Sequence, residues 1–242
     1  MAKLVILIAG NICSGKTTLV EYLHNNSNLF RSVLSETESV RVIKEFIDPE
    51  SLKLFYMNRQ KYTSIFESSC LIGRLVRQSV AEQYNGICIF DRGIVEGSET
   101  FAKNSYLEGY MSYESYQDYV LRIKKAFDDL SRIEENQNKW LEQLIIYLKV
   151  DDVNILVERN KKRATEGEII PKEYFEKLNQ NYNCFFSNIN KTYADYGLKA
   201  PEVLTIDAST DFSQNSQYLK DCADLILSKT NEILYKKQTT LK

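Results

Sequence analysis

The stretch Gly10-Asn11-Ile12-Cys13-Ser14-Gly15-Lys16-Thr17-Thr18 fits the pattern G-x-x-x-x-G-K-[ST] and follows directly on the apolar run Lys3–Ala9. Glycines at those two places let backbone N–H groups wrap a phosphate, the lysine neutralises it, and the hydroxyl of Thr17 can ligate Mg²⁺. Two acids stand at comparable places further on. Asp91-Arg92 closes the apolar run that begins at Gly86, and Glu45 closes the one that begins at Val40. At the end of a strand beside the phosphate loop, Asp91 can serve the magnesium ion and Arg92 can bridge a transferred phosphoryl group. Glu45 is placed to orient or deprotonate a hydroxyl that attacks a γ-phosphate. His24, the one histidine, falls at the end of the first helical stretch, so histidine-based schemes are not expected.

A phosphate loop serves switches as well as kinases. A GTPase needs an N-K-x-D motif to read guanine, and the pairs Asn138-Lys139, Asn160-Lys161 and Asn190-Lys191 continue without the aspartate. Phosphoryl transfer is therefore the reading to follow.

These residues can meet only if strands carry them to one edge. Lys3–Ala9, Val40–Glu45, Gly86–Arg92, Leu144–Val150 and Glu202–Asp207 are short, apolar and β-branched and read as five strands. Lys16–His24 reads as a helix entered from the loop, and Ser51–Glu82, Tyr113–Lys139 and Lys172–Tyr196 as long helical stretches between strands. That alternation predicts an α/β fold of the doubly wound type, with ligands at the carboxyl ends of the strands. With 9 glycines, 3 prolines, no repeat and no low-complexity linker, the 242 residues read as one domain, 1–242, with a frayed tail at about 235–242.

Composition removes several classes. A formal net charge of −2 gives no basic excess for polymeric nucleic acid. Five scattered cysteines without C-x-x-C spacing give neither a disulfide framework nor a zinc site, and read as reduced thiols. No apolar stretch approaches the ~18 residues that span a bilayer, and the first apolar run leads into a glycine loop rather than a cleavage site, so a cytoplasmic protein without a membrane partner is expected.

Taken in order, "GNICSGKTT", "KEFID" followed by "LFYM", "FESSCLIGR", "FDRGIVEGSETFAKN", "IIPKEYFEKLN" and "VLTIDASTDF" resemble the deoxyribonucleoside kinase family from about Lys3 to Phe212. The resemblance implies transfer of the γ-phosphate of ATP to the 5′-hydroxyl of a deoxynucleoside. It also implies a P-loop core of five parallel strands, a helical lid and a homodimer. Carried over by position, it puts the general base on Glu45, the acid–arginine pair on Asp91 and Arg92, and contacts to the sugar on Tyr56 and Glu168. The lid falls on about 156–168 with Arg159 and Arg163, assisted by Lys162, and the adenine-side loop on Asp211 and Phe212. Guanidinium forks that close over phosphates and exclude water suit a transfer that competes with hydrolysis.

The chain departs from the family at the acceptor side. Glu67 stands where a glutamine usually pairs with the base, Gly97 where many members have an aspartate, Gly93 where a serine follows the Asp-Arg pair, and Thr165 where a second lid arginine is common. An ionised Glu67 accepts but cannot donate, which suits the ring N–H of guanine or hypoxanthine and leans the acceptor toward purines. Two features pull the other way. Arg74, seven residues on and on the same helical face, could tie up Glu67 as an ion pair, and Gly97 could leave room for a pyrimidine methyl. Two other readings stay open: a nucleoside monophosphate kinase such as thymidylate kinase, for which Arg59, Lys61 and Arg74 offer cations, and a non-catalytic nucleotide-binding regulator.

Overall fold

The computed structural model describes residues 3–133, 142–163 and 170–240. Its five strands are β1 (Leu4–Gly10), β2 (Ser39–Ile43), β3 (Gly86–Asp91), β4 (Leu144–Lys149) and β5 (Glu202–Asp207), all parallel, in the order β2-β3-β1-β4-β5. The sequence read β1, β3 and β4 as unbroken apolar runs because both of their faces are covered. Leu4, Ile6 and Ile8 of β1 enter one core with Ile87, Ile89, Leu144 and Ile146, whereas Val5, Leu7 and Ala9 enter the other with Cys88, Phe90 and Ile145. The period of two along the strand makes that division.

Ten helices flank the sheet among the described residues. Helix α1 (Lys16–Asn25) leaves the phosphate loop; α2 (Pro49–Met57) and α3 (Arg59–Glu82) join β2 to β3. After β3 come α4 (Ile94–Gly97), a wide π-helical turn (Ser98–Ala102) and α5 (Lys103–Leu107), then α6 (Tyr113–Ile133). Helix α7 (Val153–Arg163) follows β4, α8 (Lys172–Ser187) and α9 (Ile189–Asp195) lead to β5, and α10 (Ser216–Thr240) ends the described chain. None of them is long and apolar enough to cross a membrane.

Three expectations are corrected. The stretch 51–82 is two helices that begin at Pro49: Asp48 caps α2 by accepting from Ser51 N at 2.8 Å, and Asn58 both ends α2 and caps α3 through Lys61 N at 3.1 Å. The stretch 172–196 breaks at Asn188, whose side chain donates back to the Cys184 carbonyl at 2.9 Å. Strand β2 stops at Ile43, so Glu45 lies in the loop beyond it. Helix α10 is described through Thr240. The end of the stretch 113–139 lies outside the described residues.

Candidate active site

Strand order brings the expected residues to one edge. Ile8 pairs with Asp91 and Ile43 with Phe90, so Gly10, Asp91-Arg92 and Glu45 leave three neighbouring strands at their carboxyl ends. Arg77 of α3 fastens this edge by donating to the carbonyls of Asp91 at 2.8 Å and Arg92 at 3.2 Å. Arg92 has φ 63°, a left-handed backbone that turns its side chain back over the strand ends.

The phosphate loop has the geometry to hold an anion. Cys13 (φ 63°) and Gly15 (φ 93°) bend it so that α1 begins at Lys16 with its N–H groups facing the concavity. A side chain at Gly15 would also meet Phe212, whose ring stands 2.8 Å from the place of a Cβ. Lys16 is buried and donates to the carbonyls of Gly10 and Asn11 at 2.9 and 2.7 Å. Burial, then the charge of Arg92, pulls its ammonium down to about 7. Asn11 ties the loop to α8 through the Phe175 carbonyl at 3.1 Å and Asn179 at 2.6 Å, and its side-chain Oδ1 accepts from Ile12 N. Ser14 Oγ and Asp91 Oδ1 are buried polar atoms without hydrogen-bond partners, the donor and acceptor that a phosphate and its cation would satisfy. Thr17 and Thr18 begin α1, with Thr17 exposed to solvent. No group of three His, Cys, Asp or Glu side chains able to hold a metal ion occurs among the described residues. A magnesium ion on Thr17 and Asp91 would draw most of its ligands from phosphate and water, as Mg²⁺ commonly does.

Glu45 sits between guanidinium groups. Arg74 donates to Oε1 from Nε at 2.9 Å and Nη2 at 2.7 Å, and Arg92 Nε lies 3.0 Å from Oε2. Burial acts to raise the carboxyl's pKa, but Arg74 foremost, then Arg92 and Arg77, overcome it and hold the group below the usual carboxylate range. Arg92 also donates from Nη1 to the Gly10 carbonyl at 3.2 Å, to Glu96 at 3.4 Å and to the Tyr182 hydroxyl at 2.9 Å, with its plane over the Phe101 ring. Asp91, largely buried, is pushed upward by that burial against the pull of Lys16 and Arg92.

Two members of this cluster were not foreseen. Glu96 is fully buried and receives the N–H groups of Gly10 at 3.3 Å and Gly93 at 2.9 Å; Tyr182 of α8 lies against the same carboxylate. Position 96 carried one signal, an acid five residues beyond Asp91 in an otherwise apolar run; Tyr182 carried none.

On the acceptor side the inward stripe of α3 runs Thr63, Glu67, Leu71, Arg74, Gln78 and Ala81, all buried. Burial pushes Glu67 up to about 7, opposed by Arg74 and by a 3.2 Å hydrogen bond from Ser105 Oγ. Its acceptor-only role therefore holds only while it is ionised, a state that burial opposes and Arg74 favours. Arg74 pairs with Glu45, not Glu67, and its guanidinium fills the room beside Gly97, so that room is closed to a methyl group. Tyr56 packs at the rim of the first core and edge-on to Phe55.

The lid and adenine-side residues are less open than expected. Arg159 spends its guanidinium on the carbonyls of Cys13, Ala208 and Ser209, which binds α7 to the phosphate loop and to the loop after β5. Lys162 and Arg163 are exposed at the end of α7. Phe212 is buried against Gly15, and Asp211 caps its own turn through Ser213 N and Oγ. Glu168 and Thr165 lie outside the described residues.

A parallel sheet whose central strand runs into a phosphate loop, with an acid and an arginine at the end of the adjoining strand and a second acid in the loop beyond the next, defines a P-loop phosphotransferase. The family model described as deoxynucleoside kinase matches residues 6–231, and the chain belongs to that family. Among its relatives, it is 28% identical over 233 residues to mitochondrial thymidine kinase 2 of Macaca fascicularis, covering 96% of this chain and 81% of that one. It is 24% identical over 254 residues to deoxycytidine kinase of Rattus norvegicus, covering 93% and 91%. A solved structure of deoxyadenosine kinase from M. mycoides with bound dATP superposes with a TM-score of 0.65 at 23% identity, covering 94% of this chain and 99% of that one. Members of the family transfer phosphoryl groups to nucleoside hydroxyls, and this chain is such an enzyme.

Proposed function

We propose that the protein transfers the γ-phosphate of ATP to the 5′-hydroxyl of a deoxynucleoside, with Mg²⁺, as a step of nucleotide salvage. The observation that carries this reading is the shared guanidinium of Arg92, which touches both the Glu45 carboxylate and the carbonyl of Gly10 in the phosphate loop. Glu45 takes the hydroxyl proton as the 5′-oxygen bonds to the γ-phosphorus; the bond from that phosphorus to the β,γ-bridging oxygen breaks, and ADP leaves with its electron pair. Lys16, Arg92 and the N–H groups of the loop neutralise charge spreading over the phosphoryl oxygens. Magnesium, when bound to Thr17, Asp91 and the phosphates, supplies further charge neutralisation. Arg163, exposed on the lid, would close over the phosphates, joined by Arg159 once it leaves the carbonyls of Cys13, Ala208 and Ser209, and Asp211 and Phe212 would border the adenine.

A monophosphate kinase needs uncommitted cations on the acceptor side. Arg59 is instead paired with Glu108 at 2.9 Å and enclosed by the rings of Phe55, Tyr110 and Tyr174, Arg74 is held by Glu45, and of the three only Lys61, exposed with its ammonium over the Tyr62 ring, stays available to such a phosphate. For the acceptor base, an ionised Glu67 favours a ring N–H on the pairing edge, which guanine and hypoxanthine offer and thymine shares, so the lean toward purines rests on the panel rather than on this contact. Exposed Ile65, Ile72 and Val76, on one face of α3, with Leu121 of α6, support a homodimer built on that face; light scattering tests it. The reaction itself is tested by ATP consumption against a panel of deoxynucleosides and their monophosphates. Turnover with a deoxynucleoside is expected; turnover with monophosphates alone, or none at all, overturns the proposal.

A further inference from the structure

The acceptor side holds one arrangement that the strand ends and the phosphate loop do not demand. Arg74 makes both of its hydrogen bonds to a single oxygen of Glu45, at 2.9 and 2.7 Å. Its remaining nitrogen, Nη1, is buried without a hydrogen-bond partner. That nitrogen lies where a side chain at position 97 would begin: a Cβ on Gly97 would stand 1.9 Å from Nη1, 2.7 Å from Cζ and 3.3 Å from Nη2. Gly97 has φ −60° and ψ −39°, ordinary helical values that any residue adopts. Its backbone therefore does not require glycine; a side chain there would instead have to displace the guanidinium of Arg74 from its place on Glu45.

We propose that Arg74 is a positioning residue that acts through Glu45, gripping the carboxylate from the side opposite Arg92, and that Gly97 is glycine so that Arg74 can reach it. The inference rests on the reading of Glu45 as the base. Glu45 is faced from α3 by Arg74, Arg77, Glu67 and Cys70, from the end of β3 by Asp91 and Arg92, from the phosphate loop by Lys16 and from α6 by Tyr119. Arg74 and Arg92 hold it at hydrogen-bond distance. Arg92 divides itself among Glu45, Gly10, Glu96 and Tyr182, whereas Arg74 gives its hydrogen bonds to Glu45 alone. The aim of the carboxylate and its lowered proton affinity thus depend on a helix that carries no strand-end residue. Because the guanidinium also borders Glu67 and Gly97, a change on the acceptor wall reaches the base without touching it.

The test uses Arg74→Gln and Gly97→Ala, separately and together, with Arg74→Lys as the conservative variant. The carboxyl carbon of Glu45 is titrated by NMR after ¹³C labelling of glutamate, with Glu45→Gln to assign the signal. In parallel, kcat is followed against pH with the best deoxynucleoside of the panel. In each of Arg74→Gln and Gly97→Ala, Glu45 should titrate at higher pH than in the wild type and the acid limb of kcat should move with it. The plateau of kcat should fall on the order of tenfold to a hundredfold, as expected of a misaimed base, with KM for ATP unchanged. The double variant should be no worse than Arg74→Gln, because the new methyl has no guanidinium left to displace. Arg74→Lys should restore the titration more than the plateau, since it returns the charge without the fork. Unmoved titration of Glu45 in Arg74→Gln, with only the acceptor KM raised, would reduce Arg74 to a binding residue. Additive losses in the double variant would overturn the role given to Gly97. A wild type that phosphorylates no deoxynucleoside would sink the functional reading, while the NMR titration still decides the contact between Arg74 and Glu45.

Discussion

The hydroxyl of Tyr182 lies 2.5 Å from Oε1 of Glu96, and both side chains are wholly shielded from solvent. The same hydroxyl stands 2.7 Å from the Gly10 carbonyl and accepts from Arg92. Tyr182→Phe removes one atom from a junction of phosphate loop, arginine and acid. It should cost about 1–3 kcal/mol of stability by leaving buried polar groups short of a partner, and kcat should fall several-fold as Arg92 loosens. Denaturant unfolding and steady-state kinetics read the two effects apart. A stability loss with kcat intact would confine Tyr182 to packing.

Glu45→Gln should leave the fold and ATP binding in place and lower kcat by ~10²- to 10⁴-fold, the span of a positioned general base. In the wild type the neighbouring arginines keep this carboxylate ionised below the usual range, so the acid limb of kcat should lie lower than for an ordinary glutamate. Retention of more than about a tenth of kcat would move the base elsewhere, with Asp91 next in line.

Glu67 makes base selectivity a function of pH. Below about 7 its carboxyl is mostly protonated and can donate to the acceptor ring nitrogen of cytosine or adenine; above about 7 it is ionised and accepts the ring N–H of guanine or hypoxanthine. The ratio of kcat/KM for deoxyguanosine over deoxycytidine should therefore rise as pH increases through 7. Glu67→Gln, which donates and accepts at every pH, should flatten that rise. A ratio independent of pH in both forms would show that Glu67 does not read the base.

Glu142, buried just before β4 with the hydroxyl of Tyr193 on its carboxylate, is pushed up to about 7 by burial. Its folded pKa exceeds the unfolded value, so the native state binds the extra proton between roughly 4.5 and 7 and stability falls as pH rises through that window. A shift of this size is worth on the order of 3 kcal/mol. Glu142→Gln, a neutral copy, should raise the denaturation midpoint at pH 8 more than at pH 5. Equal effects at both values would mean that the carboxyl is already ionised in the fold.

Strands β1, β3 and β4 were legible because burial on both faces leaves an unmistakable apolar run, and the phosphate loop because its glycines and lysine are tied to a backbone shape. Strand ends then located Glu45, Asp91 and Arg92. The breaks at Asn58 and Asn188 were hidden because apolar spacing continues across them, while the turn is made by one amide side chain. Arg74 was matched to Glu67 by helical spacing, which knows only neighbours on the same helix; the partner it takes, Glu45, arrives from a separate loop. Tyr182 was one of 16 tyrosines and stood out in no pattern, and Glu96 sits in a helical run too irregular to show a period.

That irregularity has its own consequence. In the run from Ile94 to Leu107 the wide turn Ser98–Ala102 has Lys103 N bonded back to Ser98 O, one residue more than an α-helical turn holds. Glu96 on one side of it meets the phosphate loop, and Ser105 on the other meets Glu67. Deleting a single residue there would tidy the helix and swing the two halves about 100° relative to each other, so that one of them would have to leave its partner. Here the count of residues matters to the site as much as their identity, so deleting one residue of this segment should cost more activity than a conservative substitution within it.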